Sequence, residues 1–246
     1  MIVALLSDIH SNYEALTACL KHAQENGASR HAFLGDLVGY GADPIAVVDL
    51  VARHAGDGAI VIKGNHDEAV EKDALYMNAS ARDAIDWTRK VLDADAQAFL
   101  AGLALIVRED KLCFVHGSAV SPERWDYVDS PSAAGRSVAA TGTAYTFSGH
   151  VHDQVLYFGN RGSRMTEFRP RPASPVPASH RRNWLAIVGS VGQPRDKNPA
   201  AAYTLFDCER ETFVFHRVPY DHYAAARKVR AAGLSESLAW RLEHGV

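Results

Sequence analysis

The chain has 246 residues, 47% of them hydrophobic, which is enough for a sizeable core and excludes global disorder. Lys and Arg number 26 against 29 Asp and Glu, a formal net charge of -3, so no broad basic footprint for a nucleic-acid backbone is present. The length suits one α/β domain over residues 1–246.

The first element, Ile2 to Leu6, is a buried strand ending at Ser7-Asp8. No basic segment precedes it, and its apolar run is too short for a signal peptide or a membrane span, so a cytoplasmic protein is expected. A helix capped by Ser11 or Asn12 comes next, with Leu16, Cys19, Leu20 and Ala23 on one face and Gly27 at its end. His31 to Leu34 form a second strand running into Gly35-Asp36. Asp43-Pro44 then supplies an N-cap and N1 proline for a helix carrying Ile45, Val48 and Val51. Ala59 to Ile62 is a third strand, leading into Gly64-Asn65-His66-Asp67. This β-α-β-α-β order predicts parallel strands with right-handed crossovers.

Two helical faces come next, Ala84, Trp87, Thr88 and Val91, then Ala96, Phe99, Leu100 and Leu103. Beyond them the pattern changes to short strands at 112–115, 145–147, 155–158, 165–168, 184–188, 203–206 and 212–218. Two helices, near 220–231 and 235–244, close the chain. The proline- and arginine-bearing stretch 169–182 reads as a solvated loop between strands; the sharper reading is an arginine flap over an anionic substrate. Of the three cysteines, Cys19 and Cys113 fall on apolar faces and Cys208 stands apart. With no CxxC and an odd total, they suit a reducing compartment rather than disulfides.

Residues able to carry chemistry cluster just past the strand ends. Asp8 and His10 come after the first strand, Asp36 after the second, Asn65 and His66 after the third. His116 comes after 112–115, and His150 and His152 after 145–147. Ligands of open α/β sheets collect beyond the carboxyl ends of strands, so these donors can converge. The alternate spacing of Asp8 with His10 and of His150 with His152 aims each pair one way if the backbone is extended. Carboxylates and an amide supply hard oxygens, and neutral imidazoles suit Mn, Fe, Zn, Co or Ni. Seven donors without a thiolate argue against a closed structural zinc site and for two metal ions about 3.5–4 Å apart. Such a pair can share a carboxylate and a hydroxide that attacks a phosphate ester. The bland alternative, turn and cap chemistry at strand ends, has to account for all seven positions together.

The blocks Ser7-Asp8-Ile9-His10, Gly35-Asp36-Leu37-Val38-Gly39, Gly64-Asn65-His66-Asp67, Val115-His116-Gly117 and Gly149-His150-Val151-His152 resemble the calcineurin-like metallophosphoesterase superfamily, in that family's order. The resemblance implies two facing mixed β-sheets flanked by helices, a four-layer α/β sandwich with the site at one edge. It implies that Asp8, His10 and His152 hold one metal, that Asn65, His116 and His150 hold the other, and that Asp36 bridges them. Divalent or mixed-valence ions are implied, manganese foremost. His66 looks like the family's imidazole that stabilises the transition state or protonates the leaving oxygen.

The protein Ser/Thr phosphatases and symmetrical dinucleoside tetraphosphatases of that superfamily carry Gly-Asp-x-x-Asp-Arg-Gly. Here Gly39 and Tyr40 replace the Asp and Arg, and Asp67 stands where those branches usually have Glu. The small prokaryotic phosphodiesterase-like branch is the better match, and Gly189-Ser190 with Pro194-Arg195 fits its closing loop. Arg195 is therefore a candidate phosphate contact. Tyr40 is a candidate platform for a nucleobase or aromatic leaving group, with packing on the core as its plain alternative. The expected activity is hydrolysis of phosphodiesters or small phosphomonoesters. The alternatives are a nucleotide-directed hydrolase (cyclic nucleotides or asymmetrical dinucleoside polyphosphates), a protein phosphatase, and a non-catalytic protein-binding scaffold.

Overall fold

The computed structural model describes residues 1–73, 77–160 and 162–246. Strand β1 (Ile2–Leu6) leads to helix α1 (Tyr13–Glu25), β2 (Arg30–Phe33), α2 (Pro44–Gly56), β3 (Ile60–Val61) and the single turn α3 (Asn65–Glu68). Helices α4 (Ala79–Val91) and α5 (Ala94–Ala101) precede β4 (Ile106–Glu109) and β5 (Leu112–Val115). A 3₁₀ turn (Pro122–Arg124) and α6 (Pro131–Thr141) come before β6 (Tyr145–Ser148), β7 (Gln154–Gly159), β8 (Thr166–Phe168), β9 (Pro175–Pro177) and β10 (Asn183–Val188). Strands β11 (Ala201–Asp207) and β12 (Thr212–Val218) and helices α7 (His222–Ala231) and α8 (Glu236–His244) complete the order. None of the described helices is long and apolar enough to cross a membrane.

The strands form two mixed sheets of six, ordered β3-β2-β1-β11-β12-β9 and β4-β5-β6-β10-β7-β8. The first three strands are parallel, as the β-α-β-α-β pattern requires, and β11 adds antiparallel to β1. Period-2 alternation explains why two sheets stack. Val3 and Leu5 of β1 face the second sheet with Phe206, Phe213 and Phe215, against Phe114, Phe147, Trp184 and Val188. Ala4 and Leu6 point the other way, under α1, α2 and α5. Leu185 and Ile187 of β10 likewise face α6. The layers are helix, sheet, sheet, helix.

Several local expectations change. Strand β4 and helix α6 were not legible. The helix is built of small residues with a weak apolar period, although Ser130 caps it and Pro131 sits at its first turn. Asp43 occupies the N-cap of α2 but makes no cap bond, because Lys228 of α7 takes its carboxylate at 2.8 Å. The buried face of α2 is Val47, Val48 and Val51, while Ile45 is 40% exposed.

The stretch 169–182 is more than a loop: Val176 pairs with Phe213, making β9 an edge strand whose prolines blunt further pairing. Arg169 is engaged by Asp153 and Glu167, and Arg182 lies over Phe158. No residue of this stretch lines the cavities at the ligand cluster, so it is not a flap there.

A third cluster joins α4 to the α7–α8 pair through Ala81, Ile85, Ala226, Val229, Leu238 and Leu242, with Tyr40 and Met77 at its edge. It brings the chain's last helices to the strand ends where the candidate ligands lie. Phe147, fully buried between Phe114 and Phe206, tests the inter-sheet core. Phe147→Ala is expected to lower the unfolding free energy by about 3–5 kcal/mol, read from denaturant titration, with unchanged stability as the contrary result.

Candidate metal centre

The loops that leave β1, β2, β3, β5 and β6 bring Asp8, His10, Asp36, Asn65, His66, His116, His150 and His152 into one buried cluster. The means differs from the alternation the spacing suggested. Asp8, His10, Asp36, His150 and His152 all have left-handed backbone, with φ of 52°, 50°, 52°, 66° and 71°. Non-glycine residues there cost of order 1–3 kcal/mol each and concentrate at functional sites. The turns are also tight, since a Cβ on Gly149 would fall 1.8 Å from Ser7 Oγ and 2.6 Å from Asp8 Oδ2. Consequently Asp8 and His10 do share a direction, but His150 and His152 part company into different groups.

Three sets of ligand atoms lie within metal-binding reach of one another: Asp8, His10 and His152; His10, Asp36 and His66; and Asp36, His116 and His150. Asp36 links the last two: its Oδ2 is 3.8 Å from His10 Nε2 and 3.4 Å from His116 Nε2. Asn65 Oδ1 lies 3.2 Å from His116 Nε2, adding an amide oxygen beside the third set.

The tautomers follow from the backbone. Nδ1 of His10 faces the Val38 carbonyl at 3.3 Å, that of His116 the Leu34 carbonyl at 2.7 Å, and that of His152 the Gln193 carbonyl at 2.6 Å. A carbonyl can only accept, so each Nδ1 carries hydrogen and each neutral ring presents its Nε2 lone pair to the cluster. His10 Nε2 and His152 Nε2 then face each other across 3.3 Å with no proton between them, and Asp8 Oδ1, 3.3 Å from His152 Nε2, is buried without a hydrogen-bond donor. Opposed lone pairs around an orphaned carboxylate oxygen fit a divalent cation and little else.

The titration pattern agrees. Burial, reinforced by neighbouring imidazoles or Arg195, holds His10 and His152 well below the usual histidine range and His150 down to about 3. These are neutral, ready ligands at physiological pH. Burial works against His116 too, but the Asp36 carboxylate outweighs it and raises the ring to about 9. In the cation-free protein Asp36 and His116 therefore form an ion pair, with Asp36 held well below the carboxylate range.

Asp67, which the sequence left as an anomaly, ties the loops together. Oδ1 accepts from the Leu37 and Val38 N–H groups at 2.9 and 3.2 Å, and Oδ2 accepts from Gly64 N–H at 2.8 Å. The shorter acid thus locks the Asp36 loop to the Asn65 turn. Asp36 Oδ1 completes the lock by accepting from the His66 backbone N–H at 2.8 Å.

His66 lines the cavity, and its ring sits 4.6 Å from that of Tyr40. Its Nδ1 is buried without a partner, against Gly39, where a Cβ would come within 2.4 Å. With no acceptor at Nδ1, the neutral ring carries its proton on Nε2.

Two adjoining cavities open over the cluster. A small polar one, about 140 Å³, is bounded by Asp36, His66, His152, Arg195 and Arg241. A larger one, about 510 Å³, continues past Met77, Glu123, Trp125 and Tyr127. Tyr40, Asn65, His66, Asn78, Tyr127 and His150 line both. Tyr127 stacks on His150 with ring centroids 4.0 Å apart and is 55% exposed. Tyr40 and Arg195 are thus both at the site, but Tyr40 is 7% exposed and part of the α4/α7/α8 core, not a free platform. Sequence reading missed Arg241, Tyr127, Trp125 and Asn78. None belongs to a strand-end motif, and only the fold brings them in. A larger cavity, about 920 Å³, lies by α6 and the β7–β8 turn and is lined by none of the candidate ligands, so volume alone does not mark the site.

Residues 1–211 match the model of the calcineurin-like phosphoesterase superfamily domain. The chain is 34% identical over 252 residues to an uncharacterised protein of Methanocaldococcus jannaschii, covering 98% of this chain and 97% of that one. Its fold is similar to a metallophosphoesterase from Sphaerobacter thermophilus, with a TM-score of 0.88, 33% identity, and 100% and 99% of the two chains covered. A hypothetical protein from Pyrococcus horikoshii shares the fold at TM-score 0.79 and 20% identity, over 100% and 98% of the chains. The chain belongs to the calcineurin-like phosphoesterase superfamily, whose members generally bind divalent metals.

Because a cation must displace the His116 proton, metal affinity is expected to rise with pH up to about 9 and then level off. Chelator-competition titrations at about pH 6.5, 7.5 and 8.5 check this; a pH-independent affinity would contradict the Asp36–His116 pair.

Proposed function

We propose that this chain is a dinuclear metal-dependent phosphoesterase acting on phosphodiesters or small phosphomonoesters. The observation that carries the reading is the set of imidazole Nε2 atoms aimed by backbone carbonyls at Asp8 and Asp36. Asp8, His10 and His152 would hold one cation, Asn65, His116 and His150 the other, and Asp36 would serve both. When bound, the pair would supply Lewis acidity toward the phosphoryl group and a water activated for attack.

The chain's own residues do the rest. Arg195, steadied by Gln193 Oε1 at 3.2 Å, reaches the cavity from the loop whose Gln193 carbonyl orients His152. Phosphate orientation and His152 alignment are therefore linked through one loop. His66 is kept neutral by burial in the resting protein. The negative charge of a bound ester favours its protonated form, and its Nε2–H can then stabilise or protonate the leaving oxygen. No carboxylate orients its Nδ1, since Gly39 takes that position, so packing by Gly39 and Tyr40 holds the ring instead.

The exposed ring of Tyr127, with Trp125 along the same wall, favours a second reading in which the leaving group is a nucleoside. Rates with manganese on p-nitrophenyl phosphate, bis(p-nitrophenyl) phosphate and a dinucleoside tetraphosphate separate these readings. Inactivity on all three would overturn both.

Two substitutions divide the roles. Asp36→Asn is expected to lower metal content and turnover together. His66→Ala is expected to leave two metals per chain and slow turnover by about 10²–10⁴-fold. Loss of metal in His66→Ala, measured by elemental analysis, would make His66 a ligand, as its closeness to His10 and Asp36 permits.

A further inference from the structure

The phosphatases that carry Gly-Asp-x-x-Asp-Arg-Gly place an arginine where this chain has Tyr40. The small cavity beside the ligand cluster nonetheless has two guanidinium groups on its wall, Arg195 and Arg241. Arg241 belongs to α8, beyond the matched residues 1–211. Leu238, Ala239 and Leu242 bury one face of α8 against α4 and α7, which turns position 241 toward the Tyr40 loop and the cavity.

The placement is braced. Arg230 of α7 ion-pairs with Glu236 and Glu243 at the two ends of α8, each at 2.6 Å. The Gly245 carbonyl accepts from Lys197 N–H at 2.7 Å, fastening the end of α8 to the loop that presents Arg195. Arg217 grips the same loop through Asp196 at 2.9 Å.

Neither Arg195 nor Arg241 forms an ion pair with a carboxylate among the described residues. Among the described residues the acid lining the small cavity is Asp36, which is committed to His10, His116 and the His66 N–H. Both arginines bear on the Tyr40 hydroxyl, easing the rise in pKa that burial imposes on it. Two cationic forks facing a polar space with no anion of their own form a receptor for an anion.

We infer that Arg241 is a substrate-binding residue that, with Arg195, grips the non-bridging oxygens of the phosphoryl group. This rests on the proposed phosphoesterase reading and deepens it. The α7–α8 hairpin, packed with Tyr40 in one cluster, thereby supplies a guanidinium beside the position where the phosphatases carry theirs. The ester's leaving group then extends into the larger cavity toward Trp125 and Tyr127.

The test uses the full chain loaded with manganese and inorganic phosphate as the probe. Phosphate dissociation constants come from calorimetry and from competitive inhibition of p-nitrophenyl phosphate hydrolysis. Arg241→Ala and Arg241→Gln, the second keeping much of the side-chain stem without the charge, are expected to weaken phosphate about 10–100-fold. They should raise KM by a similar factor, change kcat by less than about tenfold, and leave metal content and Tm unaltered. Arg241→Lys should recover part of the loss. Trp240→Ala, the exposed neighbour on α8, should bind phosphate like the wild type.

Phosphate constants within about twofold of wild type in both Arg241 variants would overturn the inference, since a charge-assisted bond accounts for more than that. So would equal weakening in Trp240→Ala, which would trace the effect to helix packing. A wild-type protein that binds phosphate but hydrolyses no ester would instead overturn the phosphoesterase reading, while the calorimetric comparison would still decide the role of Arg241.

Discussion

Unprotonated imidazole nitrogens and carboxylate oxygens are forced to face one another inside this protein, out of reach of water. Backbone carbonyls claim the Nδ1 hydrogens of His10, His116 and His152, so their Nε2 atoms point inward, bare in His10 and His152 and protonated against Asp36 in cation-free His116. Five of the clustered residues, His10 and His152 among them, hold left-handed backbone to keep this arrangement. Folding alone would not select it, because burying acceptors without donors is costly. The cost becomes intelligible if cations complete the cluster, and much of the surrounding structure serves to keep the acceptors in place. Asp67 links two ligand-bearing loops, and the Ser190–Gln193 turn positions His152.

The two sheets make such strain sustainable. Their shared interior is a buried apolar cluster with Phe114, Phe147, Phe206, Phe213 and Phe215 at its heart, and the ligands sit on loops that leave its strand ends after only a few residues. Short loops on rigid strands can hold unfavourable torsions that a longer loop would relax. The α7–α8 hairpin adds a second layer. It closes one side of the site and is fastened to the 193–198 loop by the bond from Lys197 N–H to the Gly245 carbonyl.

How much of this was legible in the sequence depended on whether a residue's role is local. Strand β1 and the ligand blocks announce themselves through apolar runs that end in Asp, Asn or His, and the residues those blocks mark do gather into one buried cluster. The geometry of that cluster did not follow from spacing. Asp-x-His and His-x-His suggest extended alternation, whereas the observed torsions are left-handed, and they send His150 and His152 to different groups. Helix α6 escaped because Ala, Ser and Gly leave no apolar period, and β4 because Ile106 and Val107 continue an apolar run from Leu103, which reads as part of the preceding helical face. Arg241 is the clearest limit. In sequence it is the single arginine of a short amphipathic helix, and only the burial of Leu238 and Leu242 against α4 and α7 turns it toward the site.

The proposed phosphoesterase reading requires two cations, one on either side of Asp36. Crystals grown with manganese and measured for anomalous scattering test it most directly. Two peaks about 3.5–4 Å apart are expected, one beside Asp8, His10 and His152 and the other beside Asn65, His116 and His150. A single peak, or none with the side chains in place, would contradict it.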